Sequence, residues 1–346
     1  MKSAAVAALR ELCKARPMSE IVAAFGSSHS AMLNAELENW LATFDHVDCK
    51  VPVIDAAGNP SSYAAALIEA RPRVATLMAP AAIRARFDAT MAAIDHLTRA
   101  IEAARLDVLI VLGDDQREVF KDAMRPAIGI YYGATIRNGA APAAKPGEDW
   151  YRRAQYRRME EGRDVDYPVD AGLGCALIEG LSARGFDITA VQDLPPGQSE
   201  GHAFSFLHRR YLRGSTVRMV PVFLNTYYPP NQPTPQRCQA LGYAIGELVA
   251  AYPQNLRVGL MASGGLSHYR VDEELDRSVI AALKRGDHAF LAALEPRFLQ
   301  SGTSEIRNWI CVAAAAHKLA FAWHAYVPAY RSSGLTGVGL CFAQWS

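Results

Sequence analysis

Charge of one sign, paired cysteines, long apolar runs and internal repeats are all missing from this chain of 346 residues, and each absence narrows its role. Thirty-six basic residues are balanced by 35 acidic ones, for a net charge of +1, so no electrostatic footprint for nucleic acid or an anionic membrane is present. The expected partner is a small molecule. Cys13, Cys49, Cys175, Cys238, Cys311 and Cys341 form no C-x-x-C pair, which argues for buried thiols and against a structural zinc site. No run approaches the roughly 18 apolar residues of a membrane span. Met1 to Arg16 reads as an amphipathic helix, not as a signal peptide. A cytoplasmic protein is expected.

What is present is an apolar half, 50% of the residues, ample for a continuous core. Leu106 to Leu112 is the clearest strand, apolar on both faces beyond Asp107 and closed by Gly113, as an interior parallel strand should be. Ile21 to Phe25, Asp187 to Gln192, Val217 to Leu224 and Leu256 to Met261 read as further strands. Helices are expected over Ser61 to Glu69, Pro80 to Ala104, Asp170 to Arg184, Pro235 to Ala251, Asp272 to Leu283, Asp287 to Ala293 and Ser304 to Leu319. The alternation predicts one α/β domain over 1–346: a central, mostly parallel sheet flanked by helices, with the active site at the strand ends. Two irregular stretches, Arg137 to Glu148 and Tyr227 to Pro235, have the length of lids or binding loops.

Four motifs set a histidine or a carboxylate on a turn beside apolar sequence. They are Gly26-Ser27-Ser28-His29-Ser30, Gly201-His202-Ala203-Phe204, Ser263-Gly264-Gly265-Leu266-Ser267-His268 and Gly302-Thr303-Ser304-Glu305. Residues far apart in sequence converge at the carboxyl edge of a parallel sheet. Two imidazoles and one carboxylate on one face of a metal suit iron(II) and leave other positions free, while a group titrating near neutrality suits a base. A fifth stretch, Asp114-Asp115-Gln116, follows the clearest strand.

These residues resemble the class III extradiol ring-cleavage dioxygenases, the LigB-like superfamily of the catalytic subunit of protocatechuate 4,5-dioxygenase. The likeness runs from Ser27 to about Trp345, with Glu36 to Pro80 looking like an insertion. It implies a non-haem Fe(II) centre in which His29 and Glu305 are metal ligands, Trp309 accompanying Glu305. It further implies that His268 is the catalytic base and that His202 contacts substrate or oxygen. The family's second ligand histidine would fall at Gln116. A carboxamide oxygen is a weaker donor than imidazole, so either Gln116 coordinates weakly or Asp114 or Asp115 takes its place. The implied reaction is extradiol cleavage of a catechol-like or aminophenol-like ring with O2, and the implied assembly a homo-oligomer such as a dimer. Tyr131, Tyr132, Tyr227 and Tyr228 lie in candidate substrate loops, Tyr227 and Tyr228 being the pair expected to bind substrate.

Plainer readings stand beside these. His29 alone is compatible with a structural histidine, His268 with a cap for the next helix, Glu305 with first-turn helix stabilisation and Asp114-Asp115-Gln116 with simple capping. His96 and His288 are expected to serve surface or core packing, and His208 an exposed or anion-contacting turn. His46 is the histidine to inspect as a substitute ligand. Tyr151 to Arg163 reads as a solvated helix face. Three rival functions remain: an oxygenase of altered metal shell acting differently or on a heterocycle, a non-catalytic binding or partner subunit, and a zinc-dependent hydrolase using His29, His268 and Glu305.

Overall fold

The computed structural model describes residues 18–346; the expected helix from Met1 to Arg16, and Cys13 with it, lie outside the described residues. Among the described residues thirteen strands follow in chain order: β1 (Glu20–Ser27), β2 (Val53–Ile54), β3 (Pro60–Ser61), β4 (Val108–Asp114), β5 (Ile128–Tyr131), β6 (Thr135–Asn138), β7 (Val165–Pro168), β8 (Thr189–Val191), β9 (Arg218–Leu224), β10 (Arg257–Ser263), β11 (His268–Arg270), β12 (Phe321–Tyr330) and β13 (Thr336–Trp345). Nine of them make one sheet in the order β11-β13-β1-β10-β4-β9-β5-β8, with β12 paired to β13. Strands β1, β10, β4 and β9 are mutually parallel and form its centre. The expected α/β architecture is therefore present, with antiparallel additions at both ends.

Strand β4 explains why the centre is parallel. Its seven residues are all buried, Val108, Ile110 and Leu112 facing one apolar layer and Leu109 and Val111 the other. A strand with no wet face needs helices on both sides. One layer contains the helices Ala171–Ala183, Pro235–Ala251 and Ile306–Ala315, and the other contains Pro80–Ala104 and His202–Arg210. Two of these helices, Pro80–Ala104 and Pro235–Ala251, begin with proline at their first turn, where its fixed φ and missing N–H cost nothing.

Differences from expectation are local. The final segment, given no element from sequence, is a long β12–β13 hairpin that covers β1. Ser304 to Leu319 divides into a 3₁₀ turn, Ser301–Glu305, and a shorter helix, Ile306–Ala315, so Glu305 ends a turn and does not sit inside the first turn of a helix. Among the described cysteines Cys49 is exposed, so the buried-thiol reading fails there, while Cys238, Cys311 and Cys341 are buried. Among the described residues no helix is long and apolar enough to cross a membrane.

Candidate metal centre

Parallel neighbours bring the motifs to one edge. Ser27 of β1 lies in register with Ser263 of β10, and β4 ends alongside at Asp114, so the turns that follow open on the same side. Helix Ile306–Ala315 fixes the carboxylate: Trp309 donates its indole N–H to Gly264 O at 3.0 Å and presses its ring against Gly26, where a Cβ would lie 2.2 Å from the ring. Gly264 itself has φ +150 and lies against Glu305, a close backbone approach that a side chain at this position would block. The backbone N–H of Gly265 then donates to Glu305 Oε2 at 2.6 Å.

The hydrogen bonds fix each imidazole's tautomer. Ser263 has one hydroxyl hydrogen, which it donates to Ala203 O at 2.6 Å, so its 3.0 Å contact with His29 is a bond donated by His29 Nδ1–H. That leaves His29 Nε2 without a proton and, in the protein, without a hydrogen-bond partner although buried. His268 Nδ1–H donates to Leu266 O at 3.0 Å, again baring Nε2. Burial lowers the His29 pKa to about 3, and burial lowers that of His268; both are neutral at pH 7.

His29 Nε2 lies 3.5 Å from Glu305 Oε2 and 3.7 Å from Asp114 Oδ1, His202 Nε2 lies 3.8 Å from Asp114 Oδ2, and His268 Nε2 lies 3.5 Å from Glu305 Oε2. Asp114 Oδ1 is buried and unpartnered. Burial raises the pKa of both carboxylates, and for Asp114 the charge of Glu305 adds to it. A cation among these oxygens and bare imidazole nitrogens would relieve that cost, and an ion roughly 2.1 Å from each donor would keep its ligands about 3–4 Å apart. The donor set fits a metal, and its mixture of imidazole and carboxylate fits iron(II).

The structure thus brings His29, His202, His268 and Glu305 to one cavity of about 300 Å³, which Tyr227 and Gln116 also line. Gln116 donates its amide to Asp114 Oδ2 at 3.2 Å. Asp115 accepts from the Val119 and Phe120 N–H groups within the loop between β4 and β5, so it orders that loop and caps no helix, contrary to the capping reading. Tyr228 lies beneath Arg117 and Arg125, while Tyr131 donates to Thr135 O and Tyr132 to Gln192; these three do not line the cavity. His46 makes an exposed pair with Asp149 at 2.9 Å. His208 is a correction: it is buried, stacked on Tyr167 and bonded to Glu200, because its helix face turns into the core. Tyr151 to Arg163 is a second correction, since Tyr151, Gln155 and Arg158 of that run line the cavity. Sequence reading passed over Glu118, Arg158 and Arg331, all of which line it as well. Glu118, two residues beyond Gln116, was the one within reach of a local signal.

An α/β sheet thus gathers at its carboxyl edge a set of imidazoles and carboxylates that could hold a metal ion. The family of the catalytic LigB subunit of aromatic ring-opening dioxygenase matches residues 93–342, and the chain belongs to that family. Over 179 residues it is 27% identical to the 2,3-dihydroxyphenylpropionate/2,3-dihydroxicinnamic acid 1,2-dioxygenase of Comamonas testosteroni, covering 50% of this chain and 48% of that one. Over 115 residues it is 30% identical to gallate dioxygenase of Pseudomonas putida, covering 32% of each. The aligned stretches therefore span about half of the first relative and a third of the second. The solved structure of an uncharacterized protein from Escherichia coli K12 matches at 14% identity and TM-score 0.43, over 72% of this chain and 92% of that one.

The Ser263 bond offers a limited test of the site. Ser263→Ala removes the acceptor that orients His29, and metal affinity, measured by titration against a chromophoric chelator, is expected to fall roughly 10- to 100-fold with the fold retained. Unchanged affinity would show that His29 needs no such support.

Proposed function

We propose that this protein is an Fe(II)-dependent extradiol dioxygenase acting on an aromatic acid with adjacent ring oxygens. The observation that carries the reading is the pair of buried, unpartnered atoms, His29 Nε2 and Asp114 Oδ1, meeting beside Glu305 with the bare Nε2 of His268 in the same cavity. His29, Asp114 and Glu305 would hold the ion. Iron there would supply electron exchange between an electron-rich ring and O2. His268 Nε2 accepts the proton of a ring hydroxyl, which its neutral state and fixed tautomer permit. Gln116, by donating to Asp114, orients a carboxylate and is not needed as a donor to the metal.

The acid group would be read by Arg331. This guanidinium lines the cavity and is held by Asp48, which takes Nε–H at 2.9 Å and Nη2–H at 2.8 Å, leaving Nη1 outside that pair. Asp48 comes from the 36–80 tract. Both relatives named above act, by name, on aromatic acids. Because Arg331→Met alone would strand a buried Asp48, the informative change is Asp48→Leu with Arg331→Met. The double variant is expected to raise KM for an aromatic acid roughly 10- to 100-fold with little change in kcat, the loss of one charged hydrogen bond. An equal KM for the acid in both proteins would remove Arg331 from recognition.

Anaerobic loading with ferrous iron, then metal analysis and oxygen uptake on catechol-bearing acids, tests the whole reading. Stoichiometric iron and one O2 consumed per ring opened support it. Turnover without oxygen on the zinc-loaded protein would favour hydrolysis instead.

A further inference from the structure

We propose that His202 supplies the second imidazole of the metal site, compensating for glutamine at position 116, and that Glu118 is the residue that positions it. This rests on the reading of the cavity as an iron site. His29, Asp114 and His202 form the group among the described residues whose donor atoms all lie within 4.8 Å of one another. The two imidazoles approach edge to face, ring centroids 4.4 Å apart at 71°, so they reach a shared point from different directions. His202 Nε2 is 3.8 Å from Asp114 Oδ2, within the roughly 3–4 Å between two ligands of one ion. Gln116 has spent its amide nitrogen on the same aspartate.

What makes His202 a ligand rather than a neighbour is the far side of its ring. Glu118 Oε2 accepts both the backbone N–H of His202, at 2.8 Å, and the ring Nδ1–H. Arg158 donates to the other carboxylate oxygen at 2.6 Å and so fixes the orientation of the Glu118 carboxylate. A carboxylate on Nδ1 fixes the tautomer that offers Nε2 to a metal and makes that nitrogen a better donor. The loop after β4 that lacks a histidine at 116 therefore provides, two residues later, the group that aims a histidine from another segment. The resulting shell adds the His202 imidazole to His29, Asp114 and Glu305, whose Oε2 lies 3.5 Å from His29 Nε2.

Two measurements on the full chain decide it: ferrous affinity by chelator competition, and pulsed EPR of the iron–nitric oxide adduct, which counts coordinated imidazoles. Expected are two imidazoles in the wild type and one in His202→Gln. Affinity should fall by more than ~100-fold in His202→Gln and about 10- to 100-fold in Glu118→Gln, with Gln116→Ala least affected. One imidazole in the wild type, or unchanged affinity in Glu118→Gln, overturns the proposal while leaving an iron site at His29. A wild type that takes up no iron overturns both this shell and the function it rests on. Should His202→Gln fail to fold, the wild-type imidazole count and Glu118→Gln still decide.

Discussion

Replacing His268 with glutamine is expected to lower turnover by about 10²- to 10⁴-fold while bound metal stays at the wild-type level. The ring is held in a posture suited to proton transfer. Leu266 O takes its Nδ1–H, Thr303 Oγ1 accepts its backbone N–H at 3.0 Å, and Gly302 packs against the ring. Its Nε2 therefore faces the cavity with a lone pair and little freedom to turn away. Burial holds the ring neutral at pH 7, so this lone pair is available to a substrate hydroxyl. Glutamine preserves a polar group of similar reach and cannot take up the proton. Steady-state kcat, with metal analysis of the same sample, checks the expectation. Turnover within a few-fold of wild type would mean that the proton leaves by another route, and loss of metal along with activity would make His268 a ligand.

How much of this could be read beforehand depends on how local the cause is. Strand β4 was legible because burial on both faces leaves an uninterrupted apolar run, and the helices Pro80–Ala104 and Pro235–Ala251 because a proline marks each start. The β12–β13 hairpin was not. Strand β12 is mostly half-buried, with no clean two-residue alternation, and β13 is buried nearly throughout, so neither carries the period that identifies a strand. In the site, turn motifs singled out His29, His202, His268 and Glu305, since glycine and serine beside a histidine are local signals. Their supports are another matter. Glu118 reaches His202 across 84 positions and Asp48 reaches Arg331 across 283, contacts set by the order of strands in the sheet. Asp114 stood between these cases, visible as an alternative to Gln116 but distinguishable from it only once Oδ1 was seen facing His29.

Asp276→Ala is expected to cost about 2–4 kcal/mol of stability, three hydrogen bonds to neutral donors, and to slow turnover, because one buried acid holds the loop that carries His268. Asp276, on helix Glu273–Arg285, accepts the Ser267 N–H at 2.8 Å, the Ser267 hydroxyl at 2.6 Å and the Tyr326 hydroxyl at 2.7 Å. Ser267 O in turn accepts the Gly339 N–H at 2.7 Å, so helix, loop and the β12–β13 hairpin meet at this carboxyl. Alanine leaves three donors, the two of Ser267 buried and that of Tyr326 half-buried, without an acceptor. Burial raises the Asp276 pKa from 3.8 to about 7, the three donors offsetting it only in part. The folded protein thus retains, between about pH 4 and pH 7, a proton that the unfolded chain has released. Stability conferred by that proton is greatest below the unfolded value and is lost as pH rises through the folded one, by roughly 4 kcal/mol at most. Asp276→Asn has no proton to lose, so its denaturation midpoint should fall less between pH 5 and pH 8 than that of the wild type. Parallel pH dependences in the two proteins would place the titrating group elsewhere and leave Asp276 with a purely structural charge.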